Sequence, residues 1–391
     1  MDSHRPPCSS RSDRGCEREP RVTTYRVPFV DPREHYRRLK PYIDTALADT
    51  LAGGDLVLRQ QLRDFERHLA GFVGTRYAVG VSSGYHALHL SLLAAGIGVG
   101  DEVITVAHTF PATVAAIVHV GASPVLIDVG PDHNMDPDAL ARAMTERTRA
   151  VIPVHLNGRV CDMDRVLALA SAHRLTVIED AAQALGAHFD GRMAGSFGLT
   201  GCFSFYPLKA LGGLGDGGAV TTNDPDIARQ ITLLRFNGED RATGEFHMHG
   251  YTALLDNVNA AVLDLKLRHL PDWIAHRNRI AKLYCEALTS VGDLRLPNFT
   301  DGRHFDSFQN YVVMTAYRDR LREFLRAEGV ETLVHWVRPM WEHKGLGLIE
   351  PALPETRRLC REVISLPMSA ETAPEHVEIT TDAIRRFFAS C

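Results

Sequence analysis

The sequence predicts an α/β fold: a large domain with a mostly parallel central sheet flanked by helices, followed by a smaller α+β domain. Three observations predict this arrangement. From about residue 76, short apolar runs alternate with segments of helical periodicity. A long amphipathic stretch covers residues 254–288, and the pattern changes after Pro297. Short apolar strands that alternate with helices are typical of βαβ units, whose parallel sheet is buried on both faces.

The alternating region supplies the elements of the large domain in order. The predicted strands are Tyr77–Val81, Glu102–Val106, Pro124–Asp128, Ala150–His155, Thr176–Glu179, Gly201–Phe205 and Gly218–Thr221. The predicted helices between them are Gly84–Ala95, Pro111–Val120, Asp136–Thr145 and Met163–His173.

The C-terminal part follows a different pattern. Apolar residues three to four apart across 254–288 predict one long helix or two, and Pro271 is expected to break or kink it. Elements of the smaller domain are expected at Tyr311–Met314, Arg318–Ala327, Thr332–Val334 and Glu375–Phe388. We therefore divide the chain into a tail at 1–24, a large domain at 25–270 and a small domain at 271–391. The tail has almost no large apolar residue, which predicts disorder.

The composition is typical of a soluble globular protein. The chain has 391 residues, 45% of them hydrophobic, and a formal net charge of −5, which argues against a nucleic-acid partner. No apolar run reaches the roughly 18 residues of a membrane span. The seven cysteines form no CxxC pair and the polar N-terminus resembles no signal peptide, so we expect a cytoplasmic protein. The nineteen histidines lack metal-ligand spacing, which predicts no metal site.

Three strand-to-loop junctions carry residues suited to bind a ligand, since ligands of open α/β sheets lie at the carboxyl ends of strands. At the first junction, Ser82, Ser83 and Gly84 turn the chain directly into a helix. Free N–H groups at a helix N-terminus favour an anion such as phosphate. The alternative is a tight turn in which a serine only caps the helix.

The second junction follows the apolar run Leu175–Ile178, which predicts a buried strand that ends at Glu179 and Asp180. A carboxylate at that depth is costly unless it meets a cation or strong donors. A protonated pyridine nitrogen is one such cation. The alternative is a structural Asp180 that caps the next helix.

The third junction places Lys209 between the apolar strand from Gly201 and the glycine-rich loop 212–218. A lysine in apolar surroundings loses its proton more readily and becomes a nucleophile toward carbonyls. The glycines let the backbone approach a ligand closely. The alternative is a surface lysine beside a flexible turn.

Together the junctions supply an anion site, a buried acid and a lysine nucleophile. Pyridoxal phosphate needs all three, because its phosphate takes a nest of donors, its ring nitrogen an acid and its aldehyde a lysine Schiff base. The combination predicts pyridoxal phosphate as the cofactor of the large domain.

From about Val27 to Phe388 the chain resembles the DegT/DnrJ/StrS family of sugar aminotransferases, which has the pyridoxal-phosphate-dependent transferase fold type I. The matching motifs, in chain order, are Phe65-Glu66, Phe72–Gly74, Ser83-Gly84 with Ala87-Leu88, Gly100–Val103, Thr109–Thr113, Ile178–Gln183, Gly201–Lys209, Gly215–Gly218, Val334–Trp336 and Ile364–Met368.

The resemblance implies roles for individual residues. Lys209 would form the Schiff base and Asp180 would pair with the pyridine nitrogen, and these two are the predicted catalytic residues. Gln183 would bond the ring's 3′ oxygen, and Phe110 would stack on the ring. The phosphate would be held by Ser83, Gly84, Tyr85 and Ser204.

Three departures from the family's pattern affect these roles. The residue after Gly84 is usually a threonine whose hydroxyl reaches the phosphate, whereas Tyr85 keeps only a main-chain N–H near it. The next position is commonly acidic or polar, and here it is His86. Relatives carry Gly-Tyr-Asn with an arginine two residues on, where this chain has Thr252 and Leu254. In relatives that asparagine contacts the cofactor phosphate bound in the partner subunit. By the same resemblance, Thr252 is the residue expected to contact that phosphate across a homodimer.

The resemblance implies an aminotransferase that moves an amino group from an amino acid, L-glutamate, to a nucleotide-linked keto-sugar through pyridoxamine phosphate, in a bacterial sugar or antibiotic pathway. His86 and His335 are the candidate substrate contacts. The alternatives are an amino-cyclitol aminotransferase, a pyridoxal-phosphate-dependent sugar dehydratase and a cofactor-binding regulator without turnover. A nicotinamide-dependent sugar reductase would need a GxGxxG motif, which Val79–Gly84 does not fit.

Overall fold

The computed structural model describes residues 25–297 and 301–390, so the predicted disordered tail lies outside the described residues. A seven-stranded sheet forms the centre of the molecule. Its strands are β1 (Tyr77–Val81), β2 (Glu102–Val106), β3 (Ser123–Ile127), β4 (Thr148–Ile152), β5 (Thr176–Asp180), β6 (Thr200–Ser204) and β7 (Gly218–Thr222). Their spatial order is β1-β7-β6-β5-β4-β2-β3.

The strand directions confirm the predicted mostly parallel sheet. Neighbours from β6 through β5, β4 and β2 to β3 are parallel. Strand β7 runs antiparallel to both of its neighbours, β1 and β6. Because β5 and β6 are parallel and adjacent, their carboxyl ends bring Asp180 and the residues after Ser204 to the same edge.

Helices cover both faces of this sheet. After α1 (Pro32–Ala52), which packs on residues 257–267, they are α2 (Gln60–Val73), α3 (Gly84–Ala94), α4 (Pro111–His119), α5 (Pro137–Ala143), α6 (Met163–His173) and α7 (Pro225–Leu234). Side chains of a strand alternate between the faces. Ile104 and Val106 therefore pack in one apolar cluster, whereas Val103 packs in the other. This double burial is the reason that the strands are mostly apolar.

The amphipathic stretch forms two helices, α8 (Asn257–Leu267) and α9 (Leu270–Leu288). Pro271 lies in the first turn of α9. Proline is accepted there because the first N–H groups of a helix have no intrahelical partner. The predicted break at this proline is therefore confirmed.

The C-terminal part has its own small sheet, in which β8 (Tyr311–Met314) and β9 (Val363–Leu366) are antiparallel. Its helices are α10 (Arg318–Ala327), α11 (Pro354–Glu362) and α12 (Pro374–Ala389). The expected element at 332–334 is reduced to an isolated bridge between Leu333 and Ser365. Val27 packs in the same apolar cluster as β8 and β9. The domain boundaries drawn from the sequence stay a prediction.

The remaining elements are short. Two-residue strands lie at His188–Phe189, Arg192–Met193, Glu239–Asp240, Glu245–Phe246 and His304–Phe305. Single turns of 3-10 helix lie at Leu156–Gly158, Met340–Glu342 and Lys344–Leu346. Within 25–297 and 301–390, no helix combines the length and apolar character that a membrane crossing requires.

Candidate active site

The N-terminus of α3 forms the first part of the site. Ser83 is the N-cap, and its Oγ accepts the His86 N–H at 3.2 Å. The serine therefore caps the helix, yet the N–H groups of Gly84 and Tyr85 still have no intrahelical acceptor. A Cβ built on Gly84 would lie 2.8 Å from Ser204 Cβ and 3.4 Å from its Oγ, so the Ser204 side chain packs against Gly84 at the start of the helix. The two N–H groups form a cradle suited to a phosphate.

Asp180 lies at the end of β5 with 6% of its surface exposed. Its Oδ2 accepts the Thr113 hydroxyl at 2.8 Å, and its Oδ1 accepts the Ala182 N–H at 3.2 Å. Across the described residues, no lysine, arginine or histidine nitrogen lies within 4.0 Å of this carboxylate. Burial raises the pKa of Asp180. A buried carboxylate without a cation is suited to a protonated ring nitrogen of a ligand.

Lys209 follows β6 in a turn held by its own N–H, which donates to the Tyr206 carbonyl at 2.8 Å. Burial lowers the pKa of Lys209 to about 8, and the negative charge of Asp180 opposes part of this decrease. With such a pKa, roughly a tenth of the molecules carry a neutral Lys209 amine at pH 7, and the neutral amine is the nucleophilic form.

Gln183 and Phe110 are the two residues predicted to contact a cofactor ring. Gln183 Oε1 accepts the Asn157 N–H at 2.9 Å and lies 3.4 Å from Asn310 Nδ2. Its oxygen is therefore engaged, and its amide nitrogen is the group suited to donate to a ligand. Phe110 is the N-cap of α4, and its ring is 60% exposed. An exposed ring next to a buried polar network offers a face for stacking.

The two predicted substrate histidines lie in different places. His86 Nδ1 contacts Ser82 Oγ at 2.8 Å, beside the phosphate cradle, and burial lowers the pKa of His86. His335 Nδ1 contacts Ser365 Oγ at 3.1 Å. Burial, together with the nearby charge of Lys209, lowers the pKa of His335 to about 4. His335 is therefore neutral at physiological pH and close to the lysine.

Among the described residues no contact joins the Thr252 side chain to the cradle, although the Ser82 N–H donates to the carbonyl of the next residue at 2.9 Å. Thr252 is exposed, and its hydroxyl donates to Asn237 Oδ1 at 3.3 Å. Tyr85, in contrast, lies at the cradle, but its hydroxyl points to His119 Nδ1 at 2.6 Å. Only the main chain of Tyr85 is thus directed to the anion.

Thr113 is a site residue to which the sequence assigned no role. Thr113 belongs to the motif Thr109–Thr113, and its hydroxyl is the one that bonds Asp180. Thr109 Oγ1 lies 2.9 Å from Thr113 Oγ1, which orders the pair. Thr109 precedes the N-cap Phe110 and lies outside α4, so helical spacing provided no sequence signal for this pair.

Comparisons with known proteins agree with this geometry. A family model for DegT/DnrJ/EryC1/StrS aminotransferases matches residues 38–385. A "pleiotropic regulatory protein" of Geobacillus stearothermophilus is 38% identical over 368 residues, which cover 93% of this chain and 98% of the relative. A "dTDP-3-amino-3,4,6-trideoxy-alpha-D-glucose transaminase" of Streptomyces venezuelae is 39% identical over 371 residues, 94% of this chain and 97% of the relative.

A solved structure confirms the fold. The crystal structure of DesV from S. venezuelae, in complex with a ketimine intermediate, matches with a TM-score of 0.90 and 39% identity, over 93% of this chain and 99% of that one. The predicted transferase fold type I is therefore confirmed. The chain belongs to the DegT/DnrJ/EryC1/StrS aminotransferase family, as its motifs predict.

Proposed function

We propose that the protein is a pyridoxal-phosphate-dependent aminotransferase that transfers the amino group of an amino acid, L-glutamate, to a nucleotide-linked keto-sugar. One observation carries the proposal: among the described residues no basic nitrogen lies within 4.0 Å of the buried Asp180 carboxylate, which shares its site with Lys209, whose pKa is lowered, and with a phosphate cradle. The transaminase of S. venezuelae, whose name specifies a dTDP-linked amino sugar, supports the substrate class.

The residues present fit the cofactor at each of its polar groups. Asp180 would hold the proton on the ring nitrogen, and the Gln183 amide nitrogen would donate to the ring oxygen. The phosphate would be held by Ser83, Gly84, Tyr85 and Ser204. When bound, pyridoxal phosphate supplies an electrophilic carbon and a ring that withdraws electrons from it. Phe110 would cover one ring face.

Lys209 would carry the proton in each half of the reaction. As a neutral amine it can accept the proton that an amino acid loses from its α-carbon, and it can return that proton one position away. Its lowered pKa makes both directions accessible near neutral pH. Neutral His335 can donate to or accept from a sugar hydroxyl without competing for that proton.

The predicted homodimer and cytoplasmic location belong to the same proposal. Thr252 lies exposed on the surface, next to Tyr251, which is 38% exposed. An exposed threonine is available to reach the phosphate cradle of a second copy, as the resemblance implies. The threonine side chain is shorter than the asparagine side chain of relatives, so we expect this contact to add little to the affinity for the cofactor.

The test uses protein reconstituted with pyridoxal phosphate, ¹⁵N-glutamate and a dTDP- or UDP-linked keto-sugar. The proposal expects 2-oxoglutarate and a ¹⁵N-labelled amino sugar in equal amounts, and neither product with Lys209→Ala. Loss of a hydroxyl group from the sugar, with no ¹⁵N incorporated, would instead indicate a dehydratase. Labelling of a keto-cyclitol alone would indicate the cyclitol enzyme. A visible cofactor band without 2-oxoglutarate from any acceptor would indicate a regulator.

A further inference from the structure

A single side chain bonds both neighbours of Lys209. Gln309 Oε1 accepts the Ala210 N–H at 2.8 Å, and Gln309 Nε2 donates to the Leu208 carbonyl at 3.1 Å. Gln309 is 9% exposed, so these bonds are shielded from water. The glutamine lies about one hundred residues along the chain from the lysine, just before β8.

The positions of these two bonds decide their effect. The Leu208 carbonyl belongs to the peptide group before Lys209, and the Ala210 N–H belongs to the peptide group after it. Each peptide group is planar, so fixing both planes fixes the two backbone dihedral angles of Lys209. Those angles set the direction of its Cα–Cβ bond. A side chain with several rotatable bonds reaches a target reproducibly only if its base is fixed.

Gln309 is itself held from behind by a buried arginine. Arg277, 4% exposed, donates through Nη1 to the Phe308 carbonyl at 2.9 Å and to the Met368 carbonyl at 3.2 Å. It also lies 3.4 Å from the Gln309 carbonyl. Phe308 has a φ of +48°, which turns the chain into this position. The backbone that carries the amide is therefore fixed from two sides.

The next residue extends the same segment to the other side of the site. Asn310 Nδ2 donates to Asn157 Oδ1 at 3.1 Å and lies 3.4 Å from Gln183 Oε1. One short segment therefore contacts the turn of Lys209 and the amide of Gln183. These two elements would flank the same cofactor.

We propose that Gln309 is a positioning residue for Lys209, whose amide holds both adjacent peptide groups and thereby sets the direction in which the lysine amine points. The proposal rests on the function proposed above. It assigns Gln309 no contact with substrate or cofactor: it acts through the lysine alone.

The test compares Gln309→Leu with the control Asn278→Leu, both reconstituted with pyridoxal phosphate. Asn278 Nδ2 donates to the carbonyls of Ile274 at 3.0 Å and Asp306 at 2.9 Å, so the control also removes two bonds, one of them to the same segment. Three quantities are measured: the pH midpoint of the visible cofactor band, kcat and KM for both substrates, and the melting temperature.

We expect Gln309→Leu to shift the pH midpoint by about one unit and to lower kcat roughly tenfold to a hundredfold, because a small misplacement of a reacting group has such effects. Both KM values should stay within about twofold, since no substrate contact is removed. The control should change the melting temperature by a similar amount and leave the midpoint and kcat unchanged.

A second variant keeps the test decisive if the leucine protein does not fold. Gln309→Glu retains an acceptor for the Ala210 N–H but loses the donor to the Leu208 carbonyl, so it should also shift the midpoint and lower kcat. An unchanged midpoint and kcat in the folded variant would overturn the proposal, as would an equal change in the control. If the wild type shows no visible band that borohydride removes, the proposed function itself fails.

Discussion

Glu179 and Asp180 are consecutive buried carboxylates at the end of β5, and among the described residues Glu179 accepts four hydrogen bonds whereas Asp180 accepts two. Its oxygens accept the N–H groups of Gly195, Phe197 and Gly198, each at 2.7 Å. His155 Nε2 lies 2.9 Å from it, and His155 Nδ1 accepts the Cys161 N–H, so Nε2 is the donor to Glu179. Glu179 thus anchors the loop after it, whereas Asp180 keeps capacity for a ligand.

Replacing Asp180 should separate function from stability. Asp180→Asn removes the charge but keeps an oxygen for the Thr113 hydroxyl. Removal of the buried charge is favourable, whereas the new amide NH₂ faces the Ala182 N–H, so these effects oppose each other and the melting temperature of the cofactor-free variant should change little. We expect kcat to fall by about a hundredfold or more, since the ring nitrogen loses its electrostatic partner. Calorimetry and steady-state kinetics measure the two effects, and a kcat within twofold of the wild type contradicts the assigned role.

Replacing Glu179 should do the opposite. Glu179→Gln places an amide NH₂ against N–H groups that now donate to a carboxylate. Hydrogen bonds to a charged group contribute about 1.5–3 kcal/mol each, so we expect unfolding of the cofactor-free protein to require about 2–4 kcal/mol less free energy. Urea titration measures this loss. A variant as stable as the wild type would show that the four contacts are not an anchor.

Two glycines provide a matched test of the phosphate cradle. A Cβ on Gly84 would stand 2.8 Å from Ser204 Cβ, whereas a Cβ on the exposed Gly71 of α2 would meet no atom within 4 Å. Gly84→Ala should push Ser204 away from the cradle and weaken cofactor binding by about tenfold or more. Gly71→Ala should raise stability by about 0.5 kcal/mol and leave cofactor affinity unchanged. Equal cofactor affinity in both variants, by fluorescence titration, would place the phosphate elsewhere.

The pKa of Lys209 predicts how reconstitution depends on pH. The neutral amine reacts with the cofactor, and its fraction rises as the pH passes through the pKa, which burial lowers to about 8. The rate at which cofactor-free protein gains its visible band should therefore rise up to about pH 8 and then level. An ordinary lysine would give a rate still rising at pH 10. Asp180→Asn should move the profile to lower pH, because the negative charge that favours the protonated amine is gone.

Tyr85 distinguishes main-chain from side-chain binding of the phosphate. Its hydroxyl bonds His119, and its ring stacks on His89 with centroids 5.6 Å apart. Tyr85→Phe removes only the hydroxyl, so cofactor affinity should stay within about threefold of the wild type. A tenfold loss would mean that the hydroxyl leaves His119 and binds the phosphate, as the threonine of relatives is expected to do.

The large sheet was predictable because its strands are buried on both faces. The run Val103–Val106 is apolar except for Thr105, and most predicted strands match the structure to within two residues. Helix α1 escaped prediction for the opposite reason. In α1 only Leu39, Ile43 and Thr50 are buried, and Pro41 lies inside the helix, where proline normally predicts an end.

The candidate site was predictable where one short segment carries the chemistry. Asp180 and Lys209 each stand within two residues of an apolar run, which is a local signal. Gln309 had no such signal, because its importance arises from two main-chain contacts with a turn far away in sequence. Thr113 is intermediate: its motif was visible, but its contact with Asp180 depends on how α4 packs beside β5.

Borohydride reduction of the reconstituted protein, followed by peptide mass mapping, tests the central claim most directly. The chain offers five lysines, and Lys266 is a real competitor, because burial lowers its pKa to about 8 as well. The account predicts a pyridoxyl adduct on Lys209 alone, with Lys40, Lys266, Lys282 and Lys344 unmodified. An adduct on any of those four, or none at all, would contradict it.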